Sequence, residues 1–181
     1  MPYELIEKQV VYDGKKVRLE LRHFRDVESG KRHVREIVVH AGAVVVIGLI
    51  DAQRLLLIRN KREAVGQILV ELPAGTLERN ENPMNAAGRE LLEETGYIAG
   101  RMKLLGTFFT SPGILSEKMY AFVAYDLKKS HSALEEGEEI ELLDASLDES
   151  IEMIRDGRII DGKTIAALLM YEKFGKEKGE T

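Results

Sequence analysis

The sequence contains no cysteine, no tryptophan and only four prolines among its 181 residues. Without cysteine the chain cannot form disulfides, zinc–thiolate sites or iron–sulfur clusters, and it has no thiol nucleophile. Any bound metal must therefore be held by oxygen atoms or by the four histidines. The same absence predicts a reducing compartment.

The chain also lacks an excess of positive charge and a long apolar run. Its formal net charge is −5, which argues against a nucleic-acid backbone as the main partner because such binding depends on cationic patches. The longest apolar stretch, residues 41–50, is shorter than the roughly 20 residues that span a bilayer, and the first residues lack a signal-peptide pattern. We therefore expect a cytoplasmic protein without nucleic-acid or membrane partners.

Hydrophobic residues make up 44% of the chain and charged residues 31%, a composition typical of a globular domain. Alternating, β-branched segments over residues 5–12 and 16–24 flank Asp13 and Gly14, a pair typical of hairpin turns. Further strands and a few helices of different lengths follow. The pattern favours an α+β fold or a three-layer α/β/α sandwich over a doubly wound α/β array.

One helix has clear boundaries at both ends. Asn82 is a favourable N-cap, Pro83 suits the first helical position, and Gly96 suits a left-handed C-cap. The sequence therefore predicts a helix over residues 83–95.

Three carboxylates share one face of that predicted helix. Glu90, Glu93 and Glu94 stand at i, i+3 and i+4, so they fall within a single turn and repel one another. Divalent cations with hard oxygen ligands, Mg²⁺ or Mn²⁺, would neutralise such a cluster. A solvated acidic face is the alternative interpretation of the three glutamates alone.

The glutamates belong to a longer pattern, G-x5-E-x7-R-E-L-x-E-E-x-G. It is formed by Gly75, Glu81, Arg89, Glu90, Leu91, Glu93, Glu94 and Gly96. Eight positions in fixed register resemble the signature of the Nudix hydrolase family, which favours a metal site over a solvated face. Tyr97 departs from the family, which usually has an aliphatic residue there.

The resemblance implies a role for each matching residue. Glu90 and Glu94 would bind the metal, Glu93 would bind metal or orient its water, and Arg89 would brace the cluster. Ala74 would offer its backbone carbonyl as a further ligand. The implied fold is the α/β/α sandwich with a mixed sheet, and the implied cofactor is Mg²⁺ or Mn²⁺.

A proline downstream of the signature points to a branch of the family. Pro112 stands 16 residues after Gly96, within a Ser-Pro-Gly segment, and this placement resembles the ADP-ribose pyrophosphatase branch. A plain turn between two strands is the alternative, because Pro-Gly forms turns in many contexts.

Further residues are assigned to substrate by the same resemblance. Arg35 and Glu36 match a pair that lies near the adenosine, and Arg62 matches an arginine suited to a diphosphate because its planar guanidinium can bind two oxygens. Glu117 matches a glutamate that contacts substrate or water. For Arg62 and Glu117, ordinary loop charge is the alternative.

The catalytic base of this branch resides on a mobile acidic loop. Here the candidate loop covers residues 134–140, with Gly137 as a hinge. The pattern aligns best on Glu136, and Glu139 is the second candidate.

The implied activity is metal-dependent hydrolysis of ADP-ribose to AMP and ribose 5-phosphate. Two alternatives remain open: another nucleoside diphosphate sugar, such as ADP-glucose or GDP-mannose, or a sensing domain that binds ADP-ribose without hydrolysing it. The branch also implies an N-terminal β region over residues 1–40 that forms a homodimer, followed by the hydrolase domain over residues 41–181.

Overall fold

The computed structural model describes residues 2–130 and 140–175. Within them the strands are β1 (Tyr3–Asp13), β2 (Val17–Asp26), β3 (Arg32–His40), β4 (Ala43–Gly48), β5 (Arg54–Arg62), β6 (Gln67–Glu71), β7 (Ala74–Thr76), β8 (Tyr97–Ile98), β9 (Arg101–Phe109), β10 (Lys118–Tyr125), β11 (Lys128–Lys129) and β12 (Ile140–Ser146). The helices are α1 (Pro83–Thr95), α2 (Leu147–Arg155) and α3 (Gly162–Met170), and a π-helical turn over Tyr171–Gly175 continues α3. The content is α+β, as predicted. None of these helices is long and apolar enough to cross a membrane.

The chain divides into two compact units. The first comprises Met1–Gly42 and Phe109–Lys118, and the second comprises Ala43–Phe108 and Met119–Thr181. In the first unit β1, β2 and β3 form an antiparallel sheet in sequence order, so the predicted hairpin is present and carries a third strand. The backbone N–H of Val38 in β3 donates to the carbonyl of Ile114 at 2.8 Å, which fixes the second segment of this unit to the sheet.

The second unit is built around β4. This strand is a continuous apolar run buried on both faces, parallel to β10 on one side and antiparallel to β7 on the other. The four-stranded sheet β7–β4–β10–β9 is therefore mixed. A second antiparallel sheet has the order β12–β5–β6.

The core of the second unit lies on both sides of β4. Because successive strand residues point to opposite faces, Val44 packs with Leu91 of α1, whereas Val45 packs with Leu168 of α3. Helices thus cover both sides of the strands, which is the layered arrangement predicted for a sandwich.

Helix α1 begins and ends where its capping residues predict. The Asn82 side chain accepts a hydrogen bond from the backbone N–H of Met84 at 2.9 Å, and Gly96 closes the helix at φ 72°. On the inner face of the helix, Ala86, Ala87 and Leu91 are fully buried. Burial of this face fixes the rotation of the helix and hence the direction of its glutamates.

Candidate active site

Arg89 lies at the centre of the acidic cluster on α1. Its Nε and Nη2 each donate to one carboxylate oxygen of Glu81 at 3.0 Å. Its Nη1 donates to Glu90 at 2.8 Å and to Glu93 at 2.9 Å. One guanidinium therefore connects three carboxylates, the geometry expected of a bracing residue.

The electrostatics of the cluster follow from these contacts. Hydrogen bonding to Glu81, together with the charge of Glu90, raises the pKa of Arg89 far above its ordinary value. The same hydrogen bonds from Arg89 lower the pKa of Glu81. The guanidinium thus remains charged at any physiological pH and offsets the repulsion between the glutamates.

The segment that includes β7 lies close against α1. A Cβ placed on Gly75 would overlap the carboxylate of Glu90, so only glycine permits this approach. The backbone N–H of Ala74 donates to Oε2 of Glu94 at 2.9 Å, and Glu94 is only 4% exposed. Ala74, Gly75, Glu90 and Glu94 are therefore brought together, which the spacing along the chain alone could not show.

The donors at this junction suit a hard divalent cation. Among residues 2–130 and 140–175, no three acidic or histidine side chains already converge on one point. Mg²⁺ does not require this, because it commonly keeps several waters and uses one or two protein carboxylates. Glu94 meets the backbone of Ala74 at this junction, and the absence of a side chain at Gly75 leaves the Glu90 carboxylate room beside the strand.

Arg62 lies at the end of β5 and is held by a residue that sequence reasoning missed. Its Nε and Nη2 donate to the two oxygens of Glu71 at 2.8 and 2.6 Å, and Glu71 also accepts from Lys163. The sequence signal was weak: Glu71 is a charged residue that ends an otherwise apolar strand pattern, and Lys163 is an ordinary polar residue in a helix start.

Four predicted substrate residues belong to the first unit. Arg35 and Glu36 lie on β3, opposite Arg22 and Leu21 of β2. Pro112 lies in a turn that is closed by the backbone N–H of Leu115 donating to the carbonyl of Ser111 at 2.8 Å.

Glu117 has two polar neighbours within the same unit. It accepts a hydrogen bond from the Thr110 hydroxyl at 2.7 Å, and its other oxygen lies 3.4 Å from Nδ1 of His40. These contacts give the carboxylate a defined position, and its role toward substrate stays a prediction. The candidate bases Glu136 and Glu139 lie outside the described residues.

Comparison with known proteins identifies the family. The NUDIX domain family model matches residues 39–168. The chain belongs to the Nudix family. Its α/β/α sandwich is confirmed by the crystal structure of an ADP compounds hydrolase, which matches with a TM-score of 0.87 over 100% of this chain and 98% of that one, at 22% identity.

Relatives of this Nudix chain support the predicted branch. A methanol dehydrogenase activator from Bacillus methanolicus is 38% identical over 90% of this chain and 89% of its own length. An ADP-ribose pyrophosphatase from Bacillus subtilis is 35% identical over the same shares. A GDP-mannose pyrophosphatase from Salmonella paratyphi B is 32% identical over 76% of each chain. The predicted resemblance and the prediction of a Nudix pyrophosphatase are thereby confirmed.

Proposed function

We propose that this Nudix pyrophosphatase hydrolyses the pyrophosphate of ADP-ribose to AMP and ribose 5-phosphate with Mg²⁺ or Mn²⁺. The observation that carries the proposal is the junction of α1 with the Ala74–Thr76 strand, where Arg89 braces the glutamates and Gly75 admits Glu90. The Bacillus subtilis relative supports the choice of ADP-ribose.

The residues of α1 would hold the cation. Glu90 and Glu94 of α1 and the carbonyl of Ala74 in β7 would form the ligand set, and Glu93 would bind the metal or orient the attacking water. When bound, the cation lowers the pKa of a water molecule and offsets the charge that develops on the phosphoryl oxygens. Arg89 would keep Glu90 and Glu93 oriented throughout, since its Nη1 donates to both carboxylates and its own charge does not titrate.

Other residues would bind the two ends of the substrate. Arg62 would contact the diphosphate through its guanidinium, and Arg35 and Glu36 would lie near the adenosine. Pro112 and Glu117 complete the proposed set, with Glu117 toward substrate or water. A homodimer formed through the N-terminal strands is part of the same proposal.

The proposed general base is Glu136, with Glu139 as the second candidate. Replacing the base by glutamine should lower kcat strongly while KM changes little, and it should flatten the acidic limb of the profile of kcat against pH. Comparing Glu136→Gln with Glu139→Gln decides between them. If kcat falls by less than about threefold in both variants, neither glutamate is the general base.

A substrate panel tests the function directly. The protein is incubated with Mg²⁺ and with ADP-ribose, ADP-glucose or GDP-mannose, and released monophosphates are converted to phosphate by a phosphatase for comparison of kcat/KM. ADP-ribose should be among the best two substrates; a lower rank contradicts the assignment.

A second nucleoside diphosphate sugar is the alternative, favoured by the GDP-mannose pyrophosphatase relative. A sensing domain that binds without hydrolysis is disfavoured because binding alone does not require the braced glutamates of α1. The same panel separates these cases, since a sensor would bind ADP-ribose and release no phosphate.

A further inference from the structure

A buried ionic cluster lies in the second unit beside the segment that leads to Gly75. We call it the Glu71 cluster; its members are Arg62, Glu71, Asp161, Lys163 and Thr164. Two cations and two anions are present, so the cluster is neutral as a whole. Of these residues, only Arg62 would contact the substrate in the proposed reaction.

Glu71 is the centre of the cluster. Its side chain is 0% exposed, and a buried carboxylate without partners would be very costly. Arg62 meets both of its oxygens in a bidentate pair, and Lys163 also donates to Oε2. The bidentate pair fixes the plane of the guanidinium, which a single contact would not do.

Lys163 is itself held in place. Its Nζ lies 3.0 Å from Oδ2 of Asp161, and Asp161 accepts hydrogen bonds from the backbone N–H and the hydroxyl of Thr164 at 3.0 and 2.6 Å. Asp161 is the N-cap of α3, so the position of Lys163 depends on the start of that helix.

Exposure increases from the centre of the cluster toward Arg62. The side chain of Lys163 is 16% exposed and that of Arg62 is 37% exposed, against 0% for Glu71. Hydrogen bonding to Glu71 and the nearby charges of Glu71, Glu94 and Asp161 raise the pKa of Arg62. Arg62 is thus the solvent-facing end of the ionic cluster, and the charge of Glu94 on α1 acts on it.

The same short segment connects the cluster to α1. The backbone N–H of Leu72 donates to the Thr164 hydroxyl at 2.9 Å, and two residues later the N–H of Ala74 donates to Glu94. Residues 71–75 therefore contact both the Glu71 cluster and α1, so a shift of the cluster would also shift the junction with α1.

We propose that Glu71 and Lys163 are positioning residues for Arg62, an inference that rests on the proposed function. Glu71 orients the guanidinium, and Lys163 holds the Glu71 carboxylate so that both of its oxygens stay on Arg62. Arg62 then meets the diphosphate of the substrate in a fixed orientation, without the entropy cost of ordering a mobile side chain.

A double-mutant cycle on substrate binding tests the proposal. Arg62→Met should raise KM by about tenfold or more with kcat within about threefold, because a diphosphate contact is made in both ground and transition states. Lys163→Met and Glu71→Gln should each raise KM by about threefold or more in the wild-type background. In the Arg62→Met background Glu71→Gln should change KM by less than about twofold. Lys163→Met should do the same once Arg62→Met and Glu71→Gln are both present, since each acts only through Arg62 and no unpaired carboxylate is then left buried.

Matched controls separate positioning from general effects of charge. Glu141 accepts two hydrogen bonds from Arg59 on the surface, and Lys173 pairs with Glu172 at 3.2 Å, so Glu141→Gln and Lys173→Met remove similar groups elsewhere. Both should leave KM within about twofold of wild type. The KM of Arg62→Lys should stay well above the wild-type value, because the ammonium of lysine cannot form the bidentate pair with Glu71.

Two results would overturn the proposal: an unchanged KM in Lys163→Met, or a KM change that is equal in the two backgrounds. Lys163→Met leaves the Arg62–Glu71 pair intact, so the test survives if Glu71→Gln does not fold. KM is measured for every variant with the best substrate of the panel. The dissociation constant for ADP is then measured for the same variants by calorimetry without metal. Coupling with a substrate other than ADP-ribose would contradict only the proposed function, whereas ADP-ribose hydrolysis without coupling would contradict only this inference.

Discussion

At the scale of single residues, Glu94 combines burial with a defined backbone contact. Glu94→Gln keeps an oxygen for the N–H of Ala74 and removes the charge that the proposed cation site would use. We expect a loss of about 10²-fold or more in kcat at saturating Mg²⁺, with Tm within about 3 °C of wild type. Turnover near the wild-type rate would remove Glu94 from the ligand set.

Glu81 allows a test of the brace through pH. Because Arg89 lowers the pKa of Glu81 below its ordinary value of 4.5, the stabilising charge is fully present above pH 4.5 and is lost as pH falls through the lowered pKa. Glu81→Gln removes the charge but leaves one acceptor oxygen, so one of the two hydrogen bonds from Arg89 is lost, at a cost of about 1.5 to 3 kcal/mol. The variant should therefore melt roughly 4 to 8 °C lower than wild type at neutral pH, with a smaller difference at about pH 3.

The control for this measurement is Glu78→Gln, which alters an exposed carboxylate in the same loop. Its Tm should stay within about 1 °C of wild type at both pH values. A Glu81→Gln difference that does not shrink in acid would contradict the ionic origin of the effect.

At the scale of elements, the junction of β7 with α1 depends on a missing side chain. Gly75→Ala would push the Glu90 carboxylate out of its place, so we expect kcat/KM to fall by about tenfold or more and the half-saturating Mg²⁺ concentration to rise. Titrating activity with Mg²⁺ measures both effects.

Gly88 offers a matched control within α1. A Cβ on Gly88 would meet nothing within 4 Å, so Gly88→Ala should keep activity within about twofold. It should also stabilise the helix by about 0.5 to 1 kcal/mol, because alanine loses less backbone entropy than glycine. Equal kcat/KM values for Gly75→Ala and Gly88→Ala would show that activity does not depend on the close approach at Gly75.

Contacts between residues close in the sequence could be predicted from it, whereas contacts between distant residues could not. The boundaries of α1 depend on Asn82, Pro83 and Gly96, which act on neighbouring backbone groups, so they could be predicted residue by residue. Glu71 and Lys163 are 92 positions apart, and no local pattern records their contact. The brace of Arg89 on Glu90 and Glu93 was predictable because all three share one helical turn.

At the scale of the whole molecule, the N-terminal sheet has an unusual outer strand. Val10 and Val11 are 50% and 54% exposed, the pairing of β1 with β2 shifts register between Val10 and Tyr12, and β1 is the edge of its sheet. A long apolar edge strand favours pairing with another chain.

This strand gives a test of the proposed homodimer. Val11→Lys should place a charge in the pairing surface and convert a dimer to monomer in light scattering at micromolar concentration. Lys8→Arg on the same strand keeps the charge and should leave the mass unchanged. A wild-type protein that is monomeric at every concentration would contradict the assembly.

The segment over residues 71–75 contacts a different partner at almost every position. Glu71 meets Arg62 and Lys163, Leu72 meets Thr164, the carbonyl of Pro73 accepts from Val46, Ala74 meets Glu94, and Gly75 faces Glu90. Inserting or deleting one residue here would shift every later contact by one place and turn inward-facing groups outward. The turn ending at Gly66 is closed by hydrogen bonds from the N–H groups of Val65 and Gly66 to the nearby carbonyl of Arg62, and it carries no such constraint. Length variation among descendants of this chain should therefore accumulate in the turn between β5 and β6 and be absent from residues 71–75, so that the spacing itself is an inherited property of the site.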